Sequence, residues 1–341
     1  MAPRTDAADA VVALAGQPNC GKSTLFNAVA GFKVDVGNFA GTSVAYAETI
    51  VTFEGRRIRL IDLPGTYSIS SHDPAEKVAR DFLLSGEVDA LVNVVDASML
   101  SRSLELTLQL SEMRLPMVVC LNMMDEAQRK GMEIDLPALE NQLGAPVRSA
   151  VAVVGTGIDE VFRRVLAVKD AALRPAEPRY GRDVESALTR VLGTDAEGLA
   201  KLLPFPPRFV ALRLLEMDED IEARVRPAFS PLAERALEER RALAAREGRP
   251  EATVMGSHRH ALVLDLYEKV VRHRRGRSMG LREKVDRFII HPLGGAITVV
   301  GSLLVTFYLA FFLGNAIAAF LDVPFGGLRS SIQAMPSGVG A

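Results

Sequence analysis

Cysteine is nearly absent: the 341 residues hold two, Cys20 and Cys120, 100 positions apart and in no C-x-x-C pair. That excludes a disulfide framework and a zinc knuckle, and it makes a reducing cytosol the expected compartment for the part that holds them. An excess of either charge is lacking too, since 40 Lys and Arg stand against 42 Asp and Glu for a net charge of -2. No global field draws the molecule to nucleic acid, which is therefore not among the expected partners; an electrostatic partner must be met by a local patch. Internal repeats and low-complexity tracts are missing. With 48% hydrophobic and 24% charged residues and a mean hydropathy of +0.16, disorder and a collagen-like fibre are excluded. The start of the chain lacks a signal-peptide pattern, because residues 1–10 are polar and the first apolar run, 11–15, is too short, so secretion is not expected. The length predicts a little over two domains at about 150 residues each.

The hydrophobic residues are unevenly placed. Residues 293–321 carry no charged side chain, and Asn315 is their one strongly polar residue. As a helix they span roughly 43 Å, against ~30 Å of bilayer hydrocarbon, which predicts one tilted transmembrane helix. Just before it, Arg272, Arg274, Arg275, Arg277, Arg282, Lys284 and Arg287 face only Glu283 and Asp286, whereas Arg329 alone follows. The positive-inside rule then puts the N-terminal ~290 residues in the cytoplasm. The expected organisation is a domain at 1–170, a helical domain at 171–275, a basic neck at 276–292, the span at 293–321 and a tail at 322–341.

Residues 11–168 alternate short apolar runs (11–15, 58–61, 90–95, 117–121) with amphipathic stretches (24–30, 104–113, 158–168). This is the βαβ signature of an α/β fold with a mostly parallel sheet. Residues 46–53, a Glu54-Gly55 turn and 57–61 predict one antiparallel hairpin. After the proline-rich linker Arg174-Pro175-Ala176-Glu177-Pro178, residues 181–273 are rich in Ala, Leu, Glu and Arg, with Leu232, Leu237 and Leu243 at helical spacing.

Directly after the first strand, Gly16-Gln17-Pro18-Asn19-Cys20-Gly21-Lys22-Ser23 satisfies G-x-x-x-x-G-K-[ST] and runs into a helix beginning near Thr24. Glycines let backbone amides curl around phosphate oxygens, and the helix N-terminus adds a favourable dipole. Lys22 is expected on the β- and γ-phosphates and the Ser23 hydroxyl on Mg²⁺. Asn122-Met123-Met124-Asp125 follows a strand as N-x-x-D. An Asp there accepts from the guanine N1–H and 2-amino group, which adenine does not offer, so GTP/GDP is the expected ligand. Between the two lies Asp62-Leu63-Pro64-Gly65, where Asp62 would hold a water of the Mg²⁺ shell and the Gly65 amide would sense the γ-phosphate. The order Lys22, Asp62, Asn122 predicts a P-loop GTPase with a Ras-like G domain. Thr66 and Tyr67 follow Gly65 where Ras-like proteins carry a water-orienting glutamine, so hydrolysis is expected to be slow without another cation.

These residues resemble one family closely, the FeoB-type ferrous iron transporters of prokaryotes. The likeness is carried by Gly16 to Asn27, by Val36-Gly37-Asn38-Phe39-Ala40-Gly41, by Asp62-Leu63-Pro64-Gly65-Thr66-Tyr67-Ser68, by Asn122 to Asp125, and by Asp286-Arg287 with His291-Pro292 before the span. It implies a G domain, a helical domain that slows GDP release, and a polytopic membrane domain carrying Fe²⁺ inward across the cell inner membrane, with small accessory proteins and a homo-oligomer as partners. It also implies an activating K⁺ held by Asn19 and the carbonyls of Gly37 and Phe39, supplying charge that the missing glutamine does not. By the same alignment Gly41, Thr42, Ser43 and Val44 form the first switch, with Ser43 favoured as the Mg²⁺ ligand where the family usually has threonine, and Thr42, one position early, as the alternative hydroxyl. Val151-Ala152-Val153 take the guanine-O6 loop, Ala152 offering its amide, although Ser149-Ala150 looks like the usual motif three residues early. Phe39 stands for a common tryptophan. The expected catalytic set is Lys22, Asn19, Ser43 and Gly65. One span cannot enclose an ion path, so the chain is expected to be a fragment, a truncated product or one part of a split transporter. A membrane-tethered G-protein switch that moves no ion is the alternative. His258 and His260 are expected as surface residues, Cys20 and Cys120 as packing groups, and the 11 methionines form no soft-metal string.

Overall fold

A computed structural model describes residues 8–31, 35–38, 45–69, 73–203, 205–273 and 281–333. They fall into two compact units, Met1–Arg274 and Arg275–Ala341.

In the first unit the opening apolar run becomes β1 (Ala10–Gly16), buried along nearly its whole length as a central parallel strand requires. It turns into α1 (Lys22–Ala30). Next come β2 (Asp35–Asn38), β3 (Ala45–Phe53) and β4 (Arg56–Asp62), an antiparallel set. The β3–β4 turn has positive φ at both Glu54 (48°) and Gly55 (78°), the backbone of a two-residue hairpin whose twist suits the strands. Then follow α2 (Pro74–Leu83), β5 (Ala90–Asp96), α3 (Leu100–Glu112), β6 (Met117–Asn122), α4 (Met124–Arg129), β7 (Met132–Ile134), α5 (Leu136–Leu143), β8 (Val147–Ser149) and α6 (Ile158–Asp170). Asp73 starts α2 by accepting the amides of Ala75 and Glu76.

Seven strands form one sheet in the order β2-β3-β4-β1-β5-β6-β8, parallel from β4 onward. The chain steps from β1 to β4 on one side and then to β5 on the other, so the order reverses at β1. The crevice outside the carboxyl ends of β1, β4 and β5 is where such sheets bind ligands.

Each sheet face has its own core. Leu14, Leu25, Phe26, Leu60, Phe162 and Val165 fill one, under α1 and α6. Ala13, Ile61, Leu91, Leu104 and Leu121 begin the other, which runs without a break into Val184, Leu188, Phe209 and Leu212. Those last residues belong to α7 (Arg182–Leu192) and α9 (Pro207–Leu215), which with α8 (Ala196–Leu202), α10 (Glu219–Val225), α11 (Ser230–Glu247) and α12 (Glu251–Val270) make up the helical part. Full burial of each such side chain contributes about 1.5–3 kcal/mol. In α11, Leu232 and Leu243 are buried as their spacing predicts, but Leu237 is only partly covered. Ala233 and Ala236 take the inner positions beside Leu232 because they let the neighbouring helices come close.

Two features of this unit have no sequence signature. After α12 a short strand β9 (Val271–His273) returns to pair antiparallel with β7, Met132 opposite His273 and Ile134 opposite Val271. In addition, a charged layer joins α2 and α3 to the helices that follow. The fully buried Arg80 donates to Asp218 at 2.7 Å and to Asp220 at 2.7 Å, and Lys77 donates to Asp220 at 3.0 Å. Arg213 donates to Glu112 at 2.7 Å; Arg259 reaches Glu216 and, at 3.4 Å, Glu112; the Tyr180 hydroxyl also donates to Glu112. Burial by itself would raise the Glu216 carboxyl, but Arg213 and Arg259 outweigh it and hold the group below its ordinary range.

The second unit contains α13 (Leu281–Ile290) and α14 (Pro292–Gln333). Within α14, Pro292–Ile317 has a mean hydropathy of 2.2 and is long and apolar enough to cross a membrane; it is exposed along most of its length, with Gly294 buried. The helix does not stop where the uncharged run does; it continues past Leu321 to Gln333.

Candidate nucleotide site

The loop from Gly16 to Ser23 lies at the carboxyl end of β1. Gly16 could carry no side chain, since a Cβ there would stand 2.4 Å from the carbonyl oxygen of Val94. Gln17 is buried and its amide nitrogen donates to the carbonyl of Arg102 at 2.8 Å, tying the loop to α3. Pro18 and Asn19 form the outer turn; Asn19 has φ 66° and Gly21 φ 83°, both left-handed, which curls the chain back so that successive amides face inward. A Cβ on Gly21 would meet the Asn122 amide nitrogen at 2.2 Å. Cys20 is buried beneath, and burial pushes its thiol up to about 11. The first backbone bond of α1 runs from the Leu25 amide to the Gly21 carbonyl, so the amides of Lys22, Ser23 and Thr24 are not spent inside the helix.

Asp62 ends β4 opposite this loop. Its carboxylate accepts from the Lys22 ammonium and, at 2.8 Å, from the Ser23 hydroxyl. Leu63 is buried, its amide donating to Leu14, and Pro64 leads to Gly65, where a Cβ would lie 3.1 Å from Pro18. Thr66 is 3% exposed and its amide donates to Gly16 at 3.2 Å, so this side chain is packed inside rather than turned toward the crevice. Tyr67 is exposed, with the Arg102 guanidinium 4.6 Å over its ring. Glu76 of α2 accepts from the amides of Tyr67 at 3.2 Å and Ser68 at 3.0 Å and from the Ser68 hydroxyl at 2.8 Å. Sequence reasoning missed Glu76, Gln17's tether and Arg102; a glutamate one turn into a helix reads as ordinary N-terminal charge.

Asn122 closes β6 with both ends of its side chain used: its nitrogen donates to the Cys20 carbonyl at 2.9 Å, and its oxygen accepts from the Ala152 amide at 2.9 Å. Met123 is left-handed at φ 60° and starts α4, which places Met124 and Asp125 in the first turn; Asp125 is half exposed and pairs with Arg129 at 3.3 Å. Val151 bridges Thr156, and Ala152 and Val153 lie in a short 3₁₀ turn with Val153 83% exposed. The Ala152 amide donates to Asn122, and Ser149 lies in β8 with its carbonyl 2.2 Å from where a Cβ on Gly157 would fall.

Of the first-switch residues, Gly37 lies in β2 opposite Tyr46. Phe39, Gly41, Thr42, Ser43 and Val44 lie outside the described residues. His258 is half-buried on Glu247 at 2.6 Å and His260 is exposed on Glu105 at 2.9 Å, on different faces of α12 as their spacing predicts. Cys120 is fully buried in β6, its thiol pushed up to about 12 by burial.

A sheet with this strand order, a phosphate loop at its reversal point and a helical part behind one face define a P-loop GTPase-type G domain followed by a helical domain. The family model for ferrous iron transport protein B matches residues 10–165, and that for the FeoB cytosolic helical domain matches residues 180–272. The chain is 32% identical, over 96% of its length, to the Fe(2+) transport protein A/Fe(2+) transporter FeoB fusion protein of Porphyromonas gingivalis, and 32% identical over 92% of its length to the Fe(2+) transporter FeoB of Escherichia coli K12. It spans about 40% of the length of either relative. Among solved structures, a GDP-bound mutant of the S. thermophilus FeoB G-domain superposes with a TM-score of 0.70 at 32% identity, over 77% of this chain and all of that one. The cytosolic domain of the T. maritima FeoB iron transporter in its GMPPNP form gives 0.66 at 32% identity, over 77% of this chain and 99% of that one. This chain belongs to the FeoB family.

Proposed function

We propose that the chain is the cytoplasmic GTP-binding and GTP-hydrolysing module of a ferrous iron transporter, joined to the first helix of its membrane domain in the cell inner membrane. The observation that carries this reading is the double use of Asn122, which holds the phosphate loop through Cys20 and the base loop through Ala152. It sets the two halves of a nucleotide pocket at fixed separation. The nucleotide-bound states of the S. thermophilus and T. maritima proteins support the same ligand here.

In this reading Gly16, Gln17, Pro18, Asn19, Cys20, Gly21, Lys22, Ser23 and Thr24 wrap the phosphates, Lys22 exchanging its Asp62 partner for phosphate oxygens. Asp125 reads the guanine edge, flanked by Asn122, Met123 and Met124, and the base oxygen is met by the amide of Val153 because that of Ala152 is taken. Ser23 and Asp62 present hard oxygen donors 2.8 Å apart beside the loop, which suits Mg²⁺, with Ser43 as the third protein ligand. Bound there, the ion would neutralise phosphate charge. Asn19, with the carbonyls of Gly37 and Phe39, would hold K⁺. The chain's own contribution to hydrolysis is electrostatic: amides and Lys22 aimed at the phosphates, and the Gly65 amide coupling the γ-phosphate to the Tyr67–Ser68 segment and through Glu76 to α2.

The test is phosphate release from GTP by the full chain in KCl and in NaCl. Faster turnover in KCl, erased by Asn19→Ala with GTP binding retained, is the expected result. Equal rates in the two salts would remove the potassium assignment, and no GTP turnover in either would remove the enzyme.

A further inference from the structure

The ten residues of α13 have no place in the nucleotide chemistry, yet their pattern is specific. At about 100° per residue along the sequence, Leu281, Val285, Phe288 and Ile289 fall on one stripe, Arg282 and Lys284 at its two edges, and Glu283, Asp286, Arg287 and the terminal Ile290 on the far side. Val285, Phe288 and Ile289 are 48%, 52% and 45% exposed, so the described part of the second unit leaves the stripe largely uncovered. A stripe of this kind, flanked by basic residues and opposed by acidic ones, suits the boundary between headgroups and acyl chains, where Lys and Arg stems lie along apolar surface while their charges reach phosphate.

The corner after α13 supports the same placement. Pro292 starts α14 and cannot donate to the preceding turn, and the two helices meet closely: a Cβ on Gly294 would stand 2.0 Å from the Phe288 carbonyl oxygen, and one on Gly295 2.6 Å from that of Ile289. Only glycines allow this approach. Therefore α13 does not extend the axis of α14 but turns off it at the end that carries the basic residues.

We infer that α13 is an in-plane membrane helix lying on the cytoplasmic leaflet, its Val285–Phe288–Ile289 stripe in the acyl boundary and its basic edges on anionic headgroups, with the Gly294–Gly295 corner fixing it there. The inference rests on Pro292–Ile317 crossing the bilayer, and not on the nucleotide reading.

The protein contains no tryptophan, so one introduced residue is a single reporter. The full chain would be reconstituted into phosphatidylethanolamine/phosphatidylglycerol vesicles as Phe288→Trp, Asp286→Trp and Phe307→Trp. Quenching would be read with lipids brominated near the carbonyl end or deep in the acyl chain, and with aqueous iodide. The expected result is blue-shifted Phe288→Trp emission quenched by the shallow bromines, Asp286→Trp quenched by iodide, and Phe307→Trp quenched by the deep bromines. A deep Phe307→Trp together with a Phe288→Trp open to iodide, or shielded from both iodide and bromines as in docking on protein, overturns the inference while leaving the span intact. A Phe307→Trp beyond reach of bromolipid overturns the span and the inference with it. Adding Gly294→Ala to Phe288→Trp should cut the shallow quenching; unchanged quenching would overturn the role given to the corner.

Discussion

Gly16 illustrates how little freedom single positions of the site have. The obstacle to a side chain there is the Val94 carbonyl, backbone of the neighbouring central strand, which cannot yield as a flexible side chain would. Gly16→Ala should therefore cost about 1–3 kcal/mol in overpacking and displace the loop, read as a lower melting temperature and lost binding of a fluorescent GDP analogue. Asp125→Ala acts differently. Half exposed and paired only loosely, it should leave stability unchanged while guanine affinity falls by roughly 10–100-fold, the ~1–3 kcal/mol of an unmet polar group, measured by GDP titration. The two thiols make a third case. Burial raises both from an ordinary 9.0, to about 11 at Cys20 and about 12 at Cys120, so both stay protonated and unreactive near neutrality. Because each folded value is above the unfolded one, their contribution is complete below pH 9 and is lost as pH climbs through about 11 to 12. Native protein should resist alkylation at pH 8 and react at both sites in urea.

Among the elements, the strands and the site loops were legible because their signals are local: an apolar run, a Gly-rich turn, an Asn with Asp three residues on. The link between α2 and α10 was not. Arg80 and Lys77 meet Asp218 and Asp220 from roughly 140 residues away, and nothing in the spacing of four charged residues in two amphipathic helices marks one of them as fully buried. Nor could spacing show that the Ala152 amide is consumed by Asn122, since that depends on where β6 and β8 end relative to one another. Arg80→Ala would strand Asp218 in the interior, and such a broken buried pair costs about 3–5 kcal/mol, expected as a lower urea midpoint for the first unit. The layer also predicts acid sensitivity. Burial opposes ionisation of Asp220, but Lys77 and Arg80 overcome it and lower its carboxyl from the ordinary 3.8, as Arg213 and Arg259 lower Glu216 from 4.5. Their stabilisation is present above those values and disappears as pH falls below them, so unfolding should steepen below about pH 4.

For the whole molecule, composition foretold a mostly soluble protein with one apolar segment, and Pro292–Ile317 is that segment. Deleting residues 281–333, which removes α13 together with the span, should convert a chain that floats with vesicles and resists alkaline extraction into one that remains in the aqueous fraction. The three-rung ladder between β7 and β9 was invisible beforehand because three residues are too few to carry a period, yet it has a mechanical consequence. The chain leaves the first unit directly after His273, whose rung is Met132, three residues beyond the end of α4, and α4 holds Asp125 in its first turn. A tug on that exit is borne first by the His273–Met132 rung and passes along a few bonds to the helix that would grip the guanine. With guanine on Asp125 as proposed, the ladder would act as a fuse in series with the nucleotide: while it held, tension on the exit would reach the base pocket, and once it peeled, the load would pass to α12.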